Sequence, residues 1–253
     1  MTMINKKIGG LLMAQQDQRA RLQPKNLITN RGGVAESILG PRDSSNLLFP
    51  LYQTGGVLFP YTPAITTGSV TEYDQTPFIH SNYNYNAYVR SYPKPIGITA
   101  EFTAQSNDEA LYLLAVIHFF RSVTKSYFGV NPYNKAGTPP PVLVFNYLGE
   151  YQFNNVPVVV KSFDYTLPAN IDYVAVNTSG SSSTLEQDAG PRGYGGRRST
   201  VIRPPTNSNG YTWVPTHLTV NMELETQYIP IQLRNQFNLD EFRSGKLVNN
   251  GYI

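Results

Sequence analysis

The sequence contains no cysteine, which excludes a disulfide framework and any thiolate metal site. Histidine occurs three times, at His80, His118 and His217. No carboxylate stands at helix or strand spacing from these to suggest a catalytic triad or a zinc site, so no metal and no cofactor is expected. Charged residues make up only 15% of the chain, whereas a soluble monomer usually has a surface that is about a quarter or more charged. No apolar run reaches the roughly 18 residues of a membrane-spanning helix. The net charge of +3 is too small to argue for nucleic-acid binding by itself. Near the start, Lys6 and Lys7 precede an apolar run over 8–14 that holds two glycines. That run is at the lower limit of a signal-peptide core, and no leader is expected.

Tyrosine is abundant, at 18 residues of 253, and asparagine is frequent. Aromatic and uncharged polar side chains are common where protein meets protein. The length allows one large domain or two small ones, with ample core.

One stretch is strongly helical: SNDEALYLLAVIHFFRSVTKSYFG, 106–129. Ser106 is a good N-cap and Glu109 completes a capping box. Asp108 and Glu109 early, and Arg121 and Lys125 late, suit the macrodipole. Gly129 is a natural left-handed stop. The spacing predicts a helix over about 106–128. Leu113, Val116, Ile117, Phe120, Val123 and Tyr127 form one apolar stripe, and Leu111, Tyr112, Ala115 and Phe119 continue round the cylinder. A helix on one sheet needs a single stripe, and the chain has no second long helix. The face bearing Leu111, Tyr112, Ala115, Phe119 and Phe120 is therefore expected to bury against a neighbouring subunit.

The remainder reads as strands. Segments 47–52 and 56–61 are apolar and aromatic around a turn at 53–55, with Pro60 and Pro63 limiting any strand to a short or edge one. Residues 64–72 and 78–92 follow. In 96–104, Ile96, Ile98, Ala100, Phe102 and Ala104 alternate with Thr99, Glu101 and Thr103. Residues 142–147 and 156–167 are rich in Val, Phe and Tyr, with a turn over 148–155. In 213–228, Leu218, Val220, Met222 and Leu224 oppose Thr219, Asn221, Glu223 and Glu225. Many strands with one central helix imply an α+β chain that is mainly antiparallel β. The polar strand faces are either an ordinary solvent face or, in a closed or ring-forming sheet, the lining of a wet channel.

Three regions stand apart. Residues 1–46 are basic and broken by glycine, and read as an extended arm. Residues 177–212, rich in Ser, Gly, Pro and Arg, read as a flexible insertion in a domain spanning 47–229. Residues 230–253 read as a tail with a helical hint around 238–244. His118 is read as a buried structural histidine. Glu223 and Glu225, about 7 Å apart on one strand face, are either a solvated face or a glycosidase-type pair. Arg192, Tyr194, Arg197, Arg198 and Arg203 form a partner-contact candidate, toward nucleic acid by arginine and ring stacking or toward an acidic protein. The glycine run over 190–199 lacks the Lys-Ser/Thr pair of a phosphate loop.

The runs LLFPLYQTGGVLFPYTPAI (47–65), YNAYVRSYP (85–93), YLLAVIHFFRSVTKSYFG (112–129) and PPPVLVFNYLGEYQFNNVPVVVKSFDYTLPANIDYV (139–174) resemble the baseplate tail-tube protein of contractile-tailed bacteriophages. The resemblance extends to the strand over 213–228 and leaves 1–46 and 177–212 uncovered. It implies a tail-tube fold, an antiparallel β-sandwich or barrel with one long flanking helix, and no catalytic residues. The implied role is a structural virion protein of the phage tail. A ring of six subunits would form at the baseplate end of the tube, join the hub to the tube and template tube assembly. Thr99, Glu101, Thr103, Thr219, Asn221, Glu223 and Glu225 would line a lumen through which DNA passes, with weak contact because the carboxylates repel phosphate. Implied partners are further copies of the chain, the tail-tube subunit, baseplate hub proteins and the tape-measure protein. The alternatives are the major tube subunit and a baseplate glycan hydrolase.

Overall fold

The computed structural model describes residues 18–25, 38–39, 46–128, 137–177 and 211–253. The elements in chain order are β1 (Arg21–Pro24), α1 (Phe49–Thr54), β2 (Val57–Leu58), β3 (Ala64–Thr66), β4 (Ser69–Thr76), β5 (Tyr85–Pro93) and β6 (Ile96–Thr103). They continue with α2 (Asn107–Val123), β7 (Leu143–Tyr147), β8 (Phe153–Tyr165), β9 (Tyr173–Asn177), β10 (Tyr211–Pro215), β11 (His217–Thr226), α3 (Pro230–Gln236), α4 (Leu239–Arg243) and a 3₁₀ turn (Val248–Asn250). The expectation of a mainly β, antiparallel α+β chain holds. One seven-stranded sheet runs β2-β1-β7-β8-β11-β6-β3, with every pairing antiparallel. Two-stranded ladders β9–β10 and β4–β5 complete it.

Alternation builds the sheet. Ile96, Ile98, Ala100 and Phe102 lie buried beside Leu218, Val220, Met222 and Leu224 in register, as the period-two pattern predicts. The sheet is curled. Its end strands β2 and β3 would stand about 29 Å apart if it were flat, at six spacings of about 4.8 Å. Yet only residues 59–63 connect Leu58 to Ala64, a span of at most roughly 22 Å. Phe59, just beyond β2, accordingly meets Phe102 of β6 with ring centroids 5.8 Å apart.

The long helix α2 lies on the apolar side of this sheet. Ser106 caps it by accepting from the Glu109 amide at 3.3 Å, and the Glu109 carboxylate reaches back to the Gln105 amide at 2.8 Å. The helix stops at Val123, short of the 128 expected. The Ser122 hydroxyl donates to the Phe119 carbonyl and that of Thr124 to Phe120 and Arg121, and such back-bonding competes with the helix ladder. Tyr127 then exchanges backbone bonds with Gly137 and Thr138, which draws the chain off the helix axis.

Other boundaries also differ. Phe49–Thr54 is a helix rather than a strand, with Pro50 in its first turn and Gly55 left-handed behind it. The segment read as one strand over 213–228 is two, β10 and β11, in different sheets. Of the expected 78–92 strand only the part from Tyr85 onward is regular, and it runs on to Pro93. Within the stretch 1–46 read as an arm, Arg21–Pro24 is an inner strand between β2 and β7, with Ala20, Leu22 and Leu39 fully buried. Gly56, at φ 134°, lets β1 approach: a Cβ there would press on the Leu22 carbonyl. The stretch 230–253 read as a tail holds α3, α4 and the 3₁₀ turn, anchored by buried Leu247 and Tyr252. Tyr228 stacks on Tyr252 at 5.2 Å and donates to the Gly251 carbonyl at 2.9 Å.

Two outcomes are expected. Phe120 is fully buried and stacked on Phe163 at 4.8 Å. Phe120→Ala should therefore lower unfolding free energy by about 3–5 kcal/mol in urea titration. Burial pushes the Tyr228 hydroxyl up to about 12 from its ordinary 10. Below about pH 10 both states keep the proton. Between roughly 10 and 12 the unfolded state alone releases it, so stability should fall across that window. Urea midpoints of Tyr228→Phe against pH should fall less steeply there than those of the parent.

Candidate assembly surfaces

The helix face expected to meet a neighbouring subunit is covered by its own chain. Ala115, Phe119 and Phe120 are fully buried, and Leu111 and Tyr112 are half-buried against the same core. The cover comes from α1 on one side and from the β9–β10 ladder on the other, which contributes buried Val176 and Val214. Tyr112 ties the α1–β2 segment down. Its hydroxyl accepts from the Leu58 amide at 2.7 Å and donates to the Leu58 carbonyl at 2.9 Å, and burial pushes that hydroxyl's pKa up. The five residues are thus core, because the second apolar stripe is met by short elements rather than by a second helix. His118, read as buried, is exposed on the remaining face of α2.

The sequence-predicted polar residues do come together. Register sets Thr103, Glu101 and Thr99 of β6 opposite His217, Thr219 and Asn221 of β11, with Ser162 and Asp164 of β8 opposite Glu223 and Asn221. All lie on the sheet face away from α2. Thr99 donates to the Asn221 side-chain oxygen at 2.9 Å, and Thr103 shares a hydrogen bond with the Tyr61 hydroxyl. Glu223 pairs with Lys161 at 3.3 Å, and His217 lies 3.7 Å from Glu101. The bulge between Glu223 and Leu224 inserts Lys161 beside its partner. Glu225, at the end of β11, is exposed. The face therefore carries Glu101, Asp164, Glu223 and Glu225 against Lys161 and His217, and leans acidic.

Arg192, Tyr194, Arg197, Arg198 and Arg203 lie outside the described residues. A basic groove that the sequence reading missed lies elsewhere, where the end of α2 meets the segment leading into β7. It holds about 770 Å³ and is lined by Lys25, His118, Arg121 and Lys125 among hydroxyl-bearing and proline residues. Arg121 is partly committed there, bonding to the Tyr165 hydroxyl and lying over its ring.

The most exposed apolar surface is the β4–β5 hairpin. It continues the β3–β6 ladder outward: β4 begins just past β3, β5 ends just before β6, and the Lys94 amide bonds to the Gly68 carbonyl at 2.7 Å. Eight residues of β4 extend about 27 Å from that root. Among the described residues its extensive contacts are between its own two strands, and its root borders Phe242 and Tyr252. One face carries Glu72 bridged by Arg90 at 2.6 Å and Tyr92 at 3.0 Å, and the Arg90 guanidinium holds the Glu72 carboxyl below its usual range. The other carries Tyr73 against Tyr88, edge to face at 6.0 Å. The turn adds Phe78, Ile79 and Tyr83. In the sequence, Tyr83, Tyr85 and Ala87 alternate with Asn82, Asn84 and Asn86, a strand-like pattern that does not mark the element as projecting.

Among the described residues no helix is long and apolar enough to cross a membrane, and no cluster of three potential metal-ligating side chains occurs. Replacing Val70–Tyr92 by an Asn-Gly turn should shift the melting midpoint of the body by less than about 4 °C, equivalent to roughly 1 kcal/mol at this size. A larger drop in calorimetry would mean that the hairpin supports the core. No protein-family model matches the chain, and a search of curated proteins returns no match.

Proposed function

We propose that this chain is a structural subunit of a contractile phage tail, joined with further copies into a ring at the baseplate end of the tail tube. In this reading the curled sheet is the subunit's share of a tail-tube-like barrel, and the ring links the hub to the tube and templates addition of tube subunits. The observation that carries it is the β3–β6 ribbon. Its inner half is built into the sheet, while its outer half projects with aromatic side chains exposed on both faces. A two-stranded ribbon alone is marginal in water, so one whose outer half leaves its aromatic side chains exposed is suited to packing between chains.

The polar face of β6, β11 and β8 supports the second part of the reading. Its hydroxyls, amides and carboxylates keep a surface wet, and its acidic lean repels phosphate, which suits a conduit that DNA must traverse without sticking. The chain's identification with a phage tail rests on the resemblance of 47–174 and 213–228. The residues before β1 and the arginine-bearing insertion are assigned to contacts with neighbouring baseplate or tube proteins. Localisation follows: assembly in the host cytoplasm and residence in the virion tail.

Imaging of purified particles tests this. The expected result is one ring of copies around the axis, at the baseplate end of the tube, with Thr99, Glu101, Asn221 and Glu223 facing the lumen. Many stacked rings would make the chain the major tube subunit instead. A solitary copy, or one off the axis, would overturn the proposal.

A further inference from the structure

Two elements of this chain form without burying a face in it. The first is the β4–β5 hairpin. Tyr73, Phe78, Ile79, Tyr83, Tyr85 and Tyr88 are 56% to 89% exposed. At roughly 200 Å² per large side chain these six leave on the order of 800 Å² open, about what each partner contributes to a standard protein–protein interface. The second is α3. This seven-residue helix has no buried side chain, although helices that short draw their stability from packing. With the residues flanking it, α3 presents an apolar ledge in which Ile229, Leu233 and Phe237 stand four residues apart along one side, continued by Leu239, with Ile231 on the opposite side, all exposed.

We propose that these two surfaces cover each other between copies: the hairpin of one copy lies on the α3 ledge of a second copy, head to tail. This deepens the ring reading above and rests on it only for closure of the ring.

Three observations select this occupant. First, the chemistry matches, with flat aromatic rings against mainly aliphatic side chains and Arg234 of the ledge available to lie over a tyrosine ring; the ledge is the smaller patch, its five side chains leaving on the order of 500 Å² open at about 200 Å² each, so it covers part of the hairpin face. Second, the charges lean to opposite signs. The hairpin carries Glu72 and Asp74 against Arg90, while the C-terminal segment carries Arg234, Arg243 and Lys246 against Asp240 and Glu241. Third, a twofold pairing of hairpin with hairpin would leave the ledge exposed in both copies. A head-to-tail contact covers both patches in every copy, and such contacts generate rings when the rotation closes. The ledge of the same chain does not do this work. The hairpin root shares a cleft with Phe242, Val248 and Tyr252, yet Ile79 and Tyr83 at the turn remain open to solvent.

The absence of cysteine makes the test direct. Tyr83→Cys and Leu233→Cys are made singly and together, and a second pair uses Tyr85→Cys and Phe237→Cys. Circular dichroism melting checks each fold, and a short bismaleimide is added to the full-length protein at its highest soluble concentration and to assembled particles. Mixing the single variants of a pair should give a covalent dimer, and each double variant a ladder of dimers, trimers and higher species. Tyr83→Ser combined with Tyr88→Ser should abolish the ladder in the Tyr85→Cys, Phe237→Cys background while the melting midpoint stays put. Hairpin variants that cross-link only to themselves, or folded proteins in which neither pair cross-links, would overturn the proposal. A ring seen in particles without these cross-links defeats this contact and leaves the ring reading intact. Cross-links in a protein that lies off the tail axis do the reverse.

Discussion

The constraint on which the rest depends is closure of one apolar interior by a sheet whose end strands are neighbours in sequence. Residues 59–63 must carry the chain from β2 at one edge to β3 at the other. The sheet cannot lie flat, and curling turns its apolar face inward so that Phe59 reaches Phe102. Within that curve there is room for a single layer, which α2 fills. Its diameter of about 10 Å then leaves a far side that needs cover, and α1 with the β9–β10 ladder supplies it. Each piece is short because its task is local. Tyr112 makes the dependence visible: one hydroxyl bonds both the amide and the carbonyl of Leu58, fixing the edge strand to the helix it helps enclose.

How far the sequence discloses this varies with the range of the interaction. Period-two alternation reports which face of a strand is buried, and 96–103 and 218–224 were legible residue by residue because one flank is core and the other water. The start of α2 was equally legible, since its cap is made by residues three apart. Its end was not, because the back-bonding of Ser122 and Thr124 and the pairing of Tyr127 with Gly137 depend on where the chain goes next. The inner strand β1 was hidden for a similar reason. RLQP has only four residues, and its place between β2 and β7 is set entirely by long-range pairing. The second apolar stripe of α2 was read correctly as apolar and wrongly as open, because its cover is split between a six-residue helix and two strands far apart in sequence.

The candidate surfaces follow the same division. Thr99, Glu101, Asn221 and Glu223 were placed on one side by alternation, and register then aligned them across strands. Their bonds, such as Thr99 to Asn221 and Glu223 to Lys161, required the pairing to be known. The hairpin was legible only as strand segments over 64–72 and 78–92, and the α3 ledge lies in the stretch 230–253 that reads as a tail. Hydrophobicity alone does not distinguish a strand that enters a core from one that leaves it, and here β3–β4 is a continuous run that does both.

That double use bears on why the chain carries so little charge. A monomer keeps itself apart from its copies with a mixed charged surface, and edge strands are commonly blunted with lysine or proline. The projecting ribbon has Pro93 at its root, but its returning side, 80–92, is mostly tyrosine, asparagine and serine. Tyrosine and asparagine tolerate water while offering rings and amides to a partner, so a ribbon of this composition stays soluble without being repelled by its own kind. An apolar ribbon would aggregate, and a charged one would need a partner of opposite sign. The acidic ladder on the sheet face shows the contrary composition in the same chain, with carboxylates on β6, β8 and β11 and mainly uncharged aromatics on the ribbon. In the proposed ring, the distribution of charge, rather than its total, separates a surface suited to meet other copies from one suited to let DNA pass.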